Sequence, residues 1–272
     1  MNLKLSEEMK KEFSKTIKIG LVATKDEKNK PHITVLSTLM GKDDDKMVFG
    51  KFVEGNSKEF IKTRKETGFL IMNTEKEFWY GKMTYSHESK EGDEYIAYNN
   101  QPLYRYNTYF GINTVYYFDL KGISDKFTLP MPKIILNAIK VMLSKHKYQG
   151  DRSKQVMKPW AEKFTAKLDT LTFLSYIDSD SYPVIVPVIQ AQSASSSRIV
   201  LKNEPYQEML KDLVKDQDIA IIAFSMTMET VLLKGKFSGF DKSGLAYLDI
   251  LRVYNSMPPV HKYIYEENAI QV

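Results

Sequence analysis

The chain of 272 residues contains no cysteine, and its four histidines stand far apart at positions 32, 87, 146 and 261. Without thiols there are no disulfides, iron–sulfur clusters or thiolate zinc sites, and the histidines spell out no multi-histidine centre. No metal site is expected. No apolar run approaches the ~20 residues of a membrane span, and Met1 to Lys15 is too charged for a secretory leader. A cytoplasmic protein with no membrane partner is the expectation. Also missing are a Gly-x-Ser-x-Gly elbow, a P-loop and a Gly-x-Gly-x-x-Gly turn after a strand. Hydrolytic and nucleotide-triphosphate chemistry are thereby disfavoured, and no side chain is singled out as catalytic.

What is present is an ordinary globular composition, 43% hydrophobic, 12% aromatic and 27% charged, with enough apolar surface to offset the entropy of folding. The 39 basic and 34 acidic residues give a net charge of +5. The lysines are scattered among Asp and Glu, so a nucleic-acid partner is not expected, while a local anion site remains open. Any chemistry belongs to a bound organic cofactor or to none.

Two stretches of the chain can be laid over one another, residues 17–132 and 171–259. In the first, Ile17–Thr24 leads through a polar turn to Pro31 and an alternating run from His32 to Ser37. In the second, Leu171–Ile177 leads through Asp178 to Ser181 to Pro183 and Val184–Ile189. Met47 follows Pro31 by sixteen positions, and Ile199 follows Pro183 by sixteen. Each half then shows a helical pattern and an apolar strand: Ser57–Lys65 before Phe69–Met72, and Pro205–Lys215 before Ile219–Phe224. Gly81-Lys82 parallels Gly235-Lys236, the run Tyr117 to Leu120 parallels Tyr247 to Ile250, and Leu129 to Pro132 parallels Ser256 to Pro259. Between the halves, Ile134, Ile135, Ala138, Ile139, Met142 and Leu143 recur at helical spacing after Pro132. They predict an amphipathic bridging helix, with a second helix over Ser153–Lys167. The expected organisation is a first repeat over 1–132, a helical linker over 133–167 and a second repeat over 168–272. Each repeat is expected to hold about six strands, with one helix crossing from the third to the fourth. Val-, Ile- and Tyr-rich strands joined by polar turns predict a mostly β (α+β), antiparallel barrel with peripheral helices.

The most chemically loaded stretch runs from Phe49 to Glu59. Asn56 reads as an N-cap with Glu59 completing a capping box, and Gly68 reads as the far end of the helix. A helix start at about Ser57 offers free N–H groups and the positive end of its dipole. The Ser57 hydroxyl and the Lys58 ammonium join it, with Lys51 at the preceding strand end. A phosphate monoester needs such donors; a capped surface helix with solvated lysines is the plain alternative. In the second half Glu204 and Glu208 would repel an anion and Pro205 removes a donor, so only the first half reads as able to hold one.

On the strand from His32 to Thr38, the residues His32, Thr34, Leu36 and Thr38 share one face. A flat heteroaromatic ring could lie there, and sheet alternation alone also accounts for the pattern. The aromatic clusters Phe78 to Tyr80, Tyr104 to Phe110 and Tyr116 to Phe118 read either as a stacking roof over such a ring, with Arg105 on a second anion, or as core packing.

The residues Leu21 to Thr24, Lys30 to Leu36, Met47 to Gly50, Asn56 to Lys58 and Gly68 to Asn73 together resemble the pyridoxamine 5′-phosphate oxidase-like, FMN-binding split β-barrel superfamily. The resemblance covers residues 17–75 well and is fainter beyond. It implies tandem split barrels with FMN held between two barrel units, as an intrachain pseudo-dimer that can pair further into a homodimer. His32, Thr34, Val35, Leu36, Phe49 and Gly50 would border the ring or ribityl chain, and Lys51, Asn56, Ser57 and Lys58 would meet the phosphate. Lys234, Lys236 and Gln190 would be contributed by the second repeat, with one flavin per chain. Two departures stand out. Asn29-Lys30 replaces the usual turn glycine, and His32 stands where vitamin-oxidising members carry Arg, with no match to their C-terminal substrate motif. The implied activity is a flavin reductase-like oxidoreductase acting on a small redox substrate, with NADH or NADPH as donor. The alternative is a noncatalytic binding or sensing protein holding a flavin, haem or another planar ligand, with one of the four histidines axial in the haem case.

Overall fold

The structure is a computed structural model that describes residues 1–52, 55–104, 111–151, 153–227, 229–255 and 262–267. It divides into two compact units. The first comprises Met1–Asn29, Thr34–Leu129 and Ser181–Ile185; the second comprises Lys30–Ile33, Pro130–Asp180 and Val186–Val272. Arg105 to Phe110, Ser256 to Pro259 and His261, which carried parts of the sequence reading, lie outside the described residues.

The first unit opens with α1 (Glu7–Ser14), a helix absent from the sequence reading. The Ser6 hydroxyl caps it by accepting the Met9 N–H at 3.2 Å, and Met9 and Phe13 are its buried residues. The strands are β1 (Ile19–Lys25), β2 (Pro31–Val35), β3 (Met40–Gly41) and β4 (Lys46–Lys51), then α2 (Asn56–Thr63), β5 (Glu66–Met72) and β6 (Glu77–Ser89). After α3 (Asp93–Asn100) and a 3-10 turn at Pro102–Tyr104 come β7 (Thr114–Ile123) and β8 (Phe127–Thr128). They form one eight-stranded sheet in the order β2-β1-β5-β6-β7-β4-β3, with β8 on β6. Its core gathers Phe13, Val22, Phe49, Ile61, Phe69, Trp79, Tyr116 and Phe118. Phe13 meets Trp79 edge-on at 5.4 Å, and Phe49 stacks on Tyr116 at 5.1 Å. All three aromatic clusters therefore put rings into packing: Trp79, Tyr104 and Tyr116 are each buried.

The second unit begins with α4 (Met131–Ser144), a 3-10 turn at Lys145–Tyr148 and α5 (Pro159–Thr165). Its strands are β9 (Leu171–Ile177), β10 (Pro183–Pro187), β11 (Gln192–Ser195), β12 (Arg198–Lys202), β13 (Asp218–Phe224), β14 (Thr230–Phe237), β15 (Leu245–Asn255) and β16 (Lys262–Glu266). The order is β10-β9-β13-β14-β15-β12-β11, with β16 on β15. Apart from the eighth strand, the two sheets have the same order. The mostly β, antiparallel fold class with peripheral helices is as expected, although each sheet has eight strands rather than six and the helical crossing joins the fourth strand to the fifth.

The correspondence is residue by residue. One unbroken spacing carries Ile19 onto Leu171, Pro31 onto Pro183 and Glu66 onto Asp218. The Leu36 N–H donates to the Gly20 carbonyl at 2.7 Å, as the Val188 N–H does to Thr172 at 2.9 Å. Across β4 and β7, Lys46 pairs with Asp119 at 2.6 Å; across β12 and β15, Arg198 pairs with Asp249 at 2.6 Å. Both sheets are bulged at the same place, after Lys82 on β6 and after Lys234 on β14.

Four expectations are corrected. The register equates Phe69 with Ile221, whose partners are Gly81 and Leu233, so Lys82 corresponds to Lys234 and the two Gly-Lys pairs are not equivalent. The pattern over Pro205–Lys215 forms only a 3-10 turn at Glu208–Leu210. Pro205 has no N–H to give, and the Met209 and Leu210 N–H groups close short turns onto Tyr206. Gly68 does not end α2, which closes at Arg64; it lies inside β5, where a Cβ would fall 1.9 Å from the Pro183 carbonyl oxygen. Finally, α4 buries Ile134, Asn137, Ala138 and Val141 but leaves Ile135, Ile139, Met142 and Leu143 exposed. No helix among the described residues is long and apolar enough to cross a membrane.

Candidate functional site

The residues that carry phosphate chemistry in the sequence converge at the start of α2, within the first unit. The cap of this eight-residue helix is Gly55 rather than Asn56, so the cap residue itself offers no side chain to the N-terminus. The helix lies against β1 with Ile61 in the core. Because helical side chains one turn apart share a face, anchoring Ile61 turns Ser57 and Lys58 inward as well. Both are buried, at 3% and 6% exposure, whereas Glu59 and Lys62 stay outside. The Ser57 hydroxyl meets the Thr34 hydroxyl at the end of β2. The Lys58 ammonium folds back over the cap, 3.7 Å from where a Cβ on Gly55 would stand. Two hydroxyls, an ammonium and a helix N-terminus thus face one small region.

The loop between β2 and β3 is held by Thr38 and Tyr104, which the sequence placed on the ring face and in an aromatic cluster, and by Tyr98, which it did not assign. Thr38 donates its hydroxyl to the Gly50 carbonyl at 2.8 Å, and Tyr98 on α3 donates to the Thr38 carbonyl at 2.5 Å. Tyr104 donates to the Ser37 carbonyl at 3.3 Å. Burial first, with neighbouring Tyr104 and Glu94, raises the Tyr98 phenol well above its ordinary range, so it stays a donor. The loop after β2 is thereby tied to the end of β4. For Tyr98 the sequence signal is the tyrosine density before β7, which is common to many packed cores.

The remaining candidates fall elsewhere. Val35 is exposed and Leu36 buried. The Phe49 ring belongs to the core stack on Tyr116, and a side chain at Gly50 would strike Ile112 at 2.8 Å. Gly50 is thus small to admit Ile112, and ring contacts at these two positions could come only from backbone. Lys51 and Asn56 are half-buried at the strand end and helix start. His32 is fully buried within the second unit, where Tyr254 meets it edge-on at 4.9 Å. Burial first, then the charge of Lys234, pushes its imidazole well below the usual range. It is a neutral packing residue there.

In the second unit the positions of Thr34, Ser57 and Lys58 are occupied by Val186, Met209 and Leu210, all buried. Gln190 stands where Thr38 does, and its amide donates to the Lys202 carbonyl at 2.6 Å. Lys236 is engaged at 2.9 Å by Asp218, which also pairs with Lys30 at 2.9 Å. His87 stacks flat on Tyr117 at 4.4 Å, and Lys42 lies over the same ring at 5.1 Å. Among the described residues, no three His, Asp or Glu side chains are grouped to hold a metal ion.

No protein-family model matches the chain, and no curated protein matches it. Among solved structures it is similar to an FMN-binding protein from Syntrophomonas wolfei, at 16% identity over 45% of this chain and 86% of that one, with a TM-score of 0.39. It is similar to HupZ of group A Streptococcus, at 19% identity over 44% of this chain and 91% of that one, TM-score 0.37. A pyridoxamine 5′-phosphate oxidase-like protein from Lactobacillus delbrueckii shares 15% identity over 46% of this chain and 96% of its own, TM-score 0.37.

Proposed function

We propose that this chain binds FMN by its phosphate at the start of α2 and acts as a flavin-dependent oxidoreductase of the flavin reductase type. The observation that carries the reading is the burial of Ser57 and Lys58 side by side in the first turn of α2, with the Thr34 hydroxyl against Ser57. This donor set, an ammonium and two hydroxyls at a helix start, is suited to a phosphate monoester. The glycine cap fits the same use, since no side chain at Gly55 competes for the N-terminus. One cofactor per chain follows from Val186, Met209 and Leu210, which offer a second phosphate neither charge nor hydrogen bond.

When bound, the flavin supplies the electron or hydride chemistry. Ser57, Lys58 and Thr34 would hold its phosphate by hydrogen bonds and charge. Protein purified without added cofactor and then titrated with FMN is expected to show bound-flavin absorption saturating at one per chain, with NADH or NADPH oxidation dependent on it. Two flavins per chain would overturn the single-site reading. A colourless protein that ignores FMN would overturn the function itself.

A further inference from the structure

We propose that α4 docks this chain onto an anionic lipid surface, its exposed apolar face entering the interface and Lys133 meeting acidic headgroups. Lys133, Asn137, Lys140 and Ser144 share one stripe of α4 and apolar residues fill the rest, a wider apolar arc than one packed face needs. One face of α4 is covered: Val141 packs with Val200 and Leu245 inside the second unit. The opposite face carries Ile135, Leu136, Ile139, Met142 and Leu143, each between 41% and 66% exposed.

The helix is held against rolling to hide that face. Gln192 grips it with both ends of its amide, donating to the Ala138 carbonyl at 2.9 Å and accepting from the Lys145 ammonium at 3.3 Å. The buried face and the exposed face are therefore both fixed.

Charge selects the occupant. From Met131 to Gly150 the sequence carries Lys133, Lys140, Lys145 and Lys147 and no acidic residue. Lys133 is exposed on the flank of the apolar face, as is Lys140, which has Glu204 at 4.0 Å. A second copy laid parallel would set each exposed lysine against itself. Area argues the same way. A 14-residue helix is about 21 Å long and about 10 Å wide, a small part of the ~800 Å² per partner of a stable protein interface. A convex, basic-flanked apolar ridge instead matches helices that lie in the plane of a lipid interface. The lysine stems let the ammonium groups reach the headgroups while the ridge sits below them.

The test is flotation of the full chain with vesicles of phosphatidylcholine alone and with about 30% phosphatidylserine. Binding is expected only with the anionic vesicles and is expected to fall steeply between about 0.1 and 0.5 M salt. Lys133→Ala should weaken it about fivefold. Ile139→Glu with Leu143→Glu should abolish it while leaving the thermal melt unchanged, because both positions are exposed. Failure to bind anionic vesicles, or binding that survives the double glutamate variant, would overturn the proposal. So would a dimer in solution that the same variant splits, which would make a second copy the cover.

Discussion

The Thr34 hydroxyl at the end of β2 is in hydrogen-bond contact with the Ser57 hydroxyl in the first turn of α2. Two residues far apart in sequence thus close one side of the candidate phosphate site. If they act as its donors, Ser57→Ala combined with Lys58→Met should weaken FMN binding on the order of 100-fold, since a charged and a neutral hydrogen bond are lost together. Methionine keeps the buried stem of Lys58, so the melting temperature should stay within a few degrees. Quenching of flavin fluorescence measures the affinity; an unchanged Kd would remove Ser57 and Lys58 from the site.

Asp218 lies between Lys30 and Lys236, at 2.9 Å from each. Burial alone would raise its carboxyl, but the hydrogen bonds from Lys236 and Lys30 outweigh it and hold the group below its ordinary value of 3.8. A depressed carboxylate contributes stability above the unfolded value and loses it as pH falls through the folded one. Asp218→Asn should therefore cost about 1–2 kcal/mol near pH 7, and the difference from the parent should shrink below about pH 4. Urea melts at two pH values would read it.

The equivalent ion pairs of the two sheets should differ in weight. Lys46 and Asp119 are well exposed, and such pairs contribute little, so Lys46→Ala should leave the melt nearly unmoved. Arg198 also lies over the Tyr247 ring at 4.1 Å and donates to the Tyr148 carbonyl at 3.4 Å. Arg198→Ala should cost about 2 kcal/mol. Equal effects of the two substitutions would show that the added contacts of Arg198 are without consequence.

Lys18 is the reverse case of Asp218. Burial lowers its ammonium to about 8 from 10.5, so between those values the unfolded chain holds a proton that the folded chain has released. Stability rises with pH across that window, and below it the half-buried charge, which donates to the Lys15 carbonyl at 2.6 Å, is a burden. Lys18→Met should stabilise the fold by about 1 kcal/mol at pH 7, with the gain fading toward about pH 10.5. A constant gain at all pH values would mean that packing rather than charge is responsible.

Local patterns are what the sequence determined by itself. Leu171–Ile177 and Ile219–Phe224 lie within the strands at those places because a run of β-branched and aromatic residues between polar turns has few other outcomes. Pro31 and Pro183 mark the same strand start in both halves. The buried Ser57 and Lys58 were likewise visible as a helix start carrying a hydroxyl and a cation. Tertiary structure alone decided which side chains each element turns inward. The exchange of Gly81 for Leu233 in the sheet register, the burial of His32 among Tyr254 and Lys234, the core stack of Phe49 and the bare ridge of α4 all depend on contacts between residues far apart in the chain. A two-residue slip along a strand preserves its alternation, and a rotation of a helix whose apolar arc is wider than its packed face preserves its periodicity. Periodicity carries no record of either choice; hydrogen-bond register and the grip of Gln192 on α4 settle them.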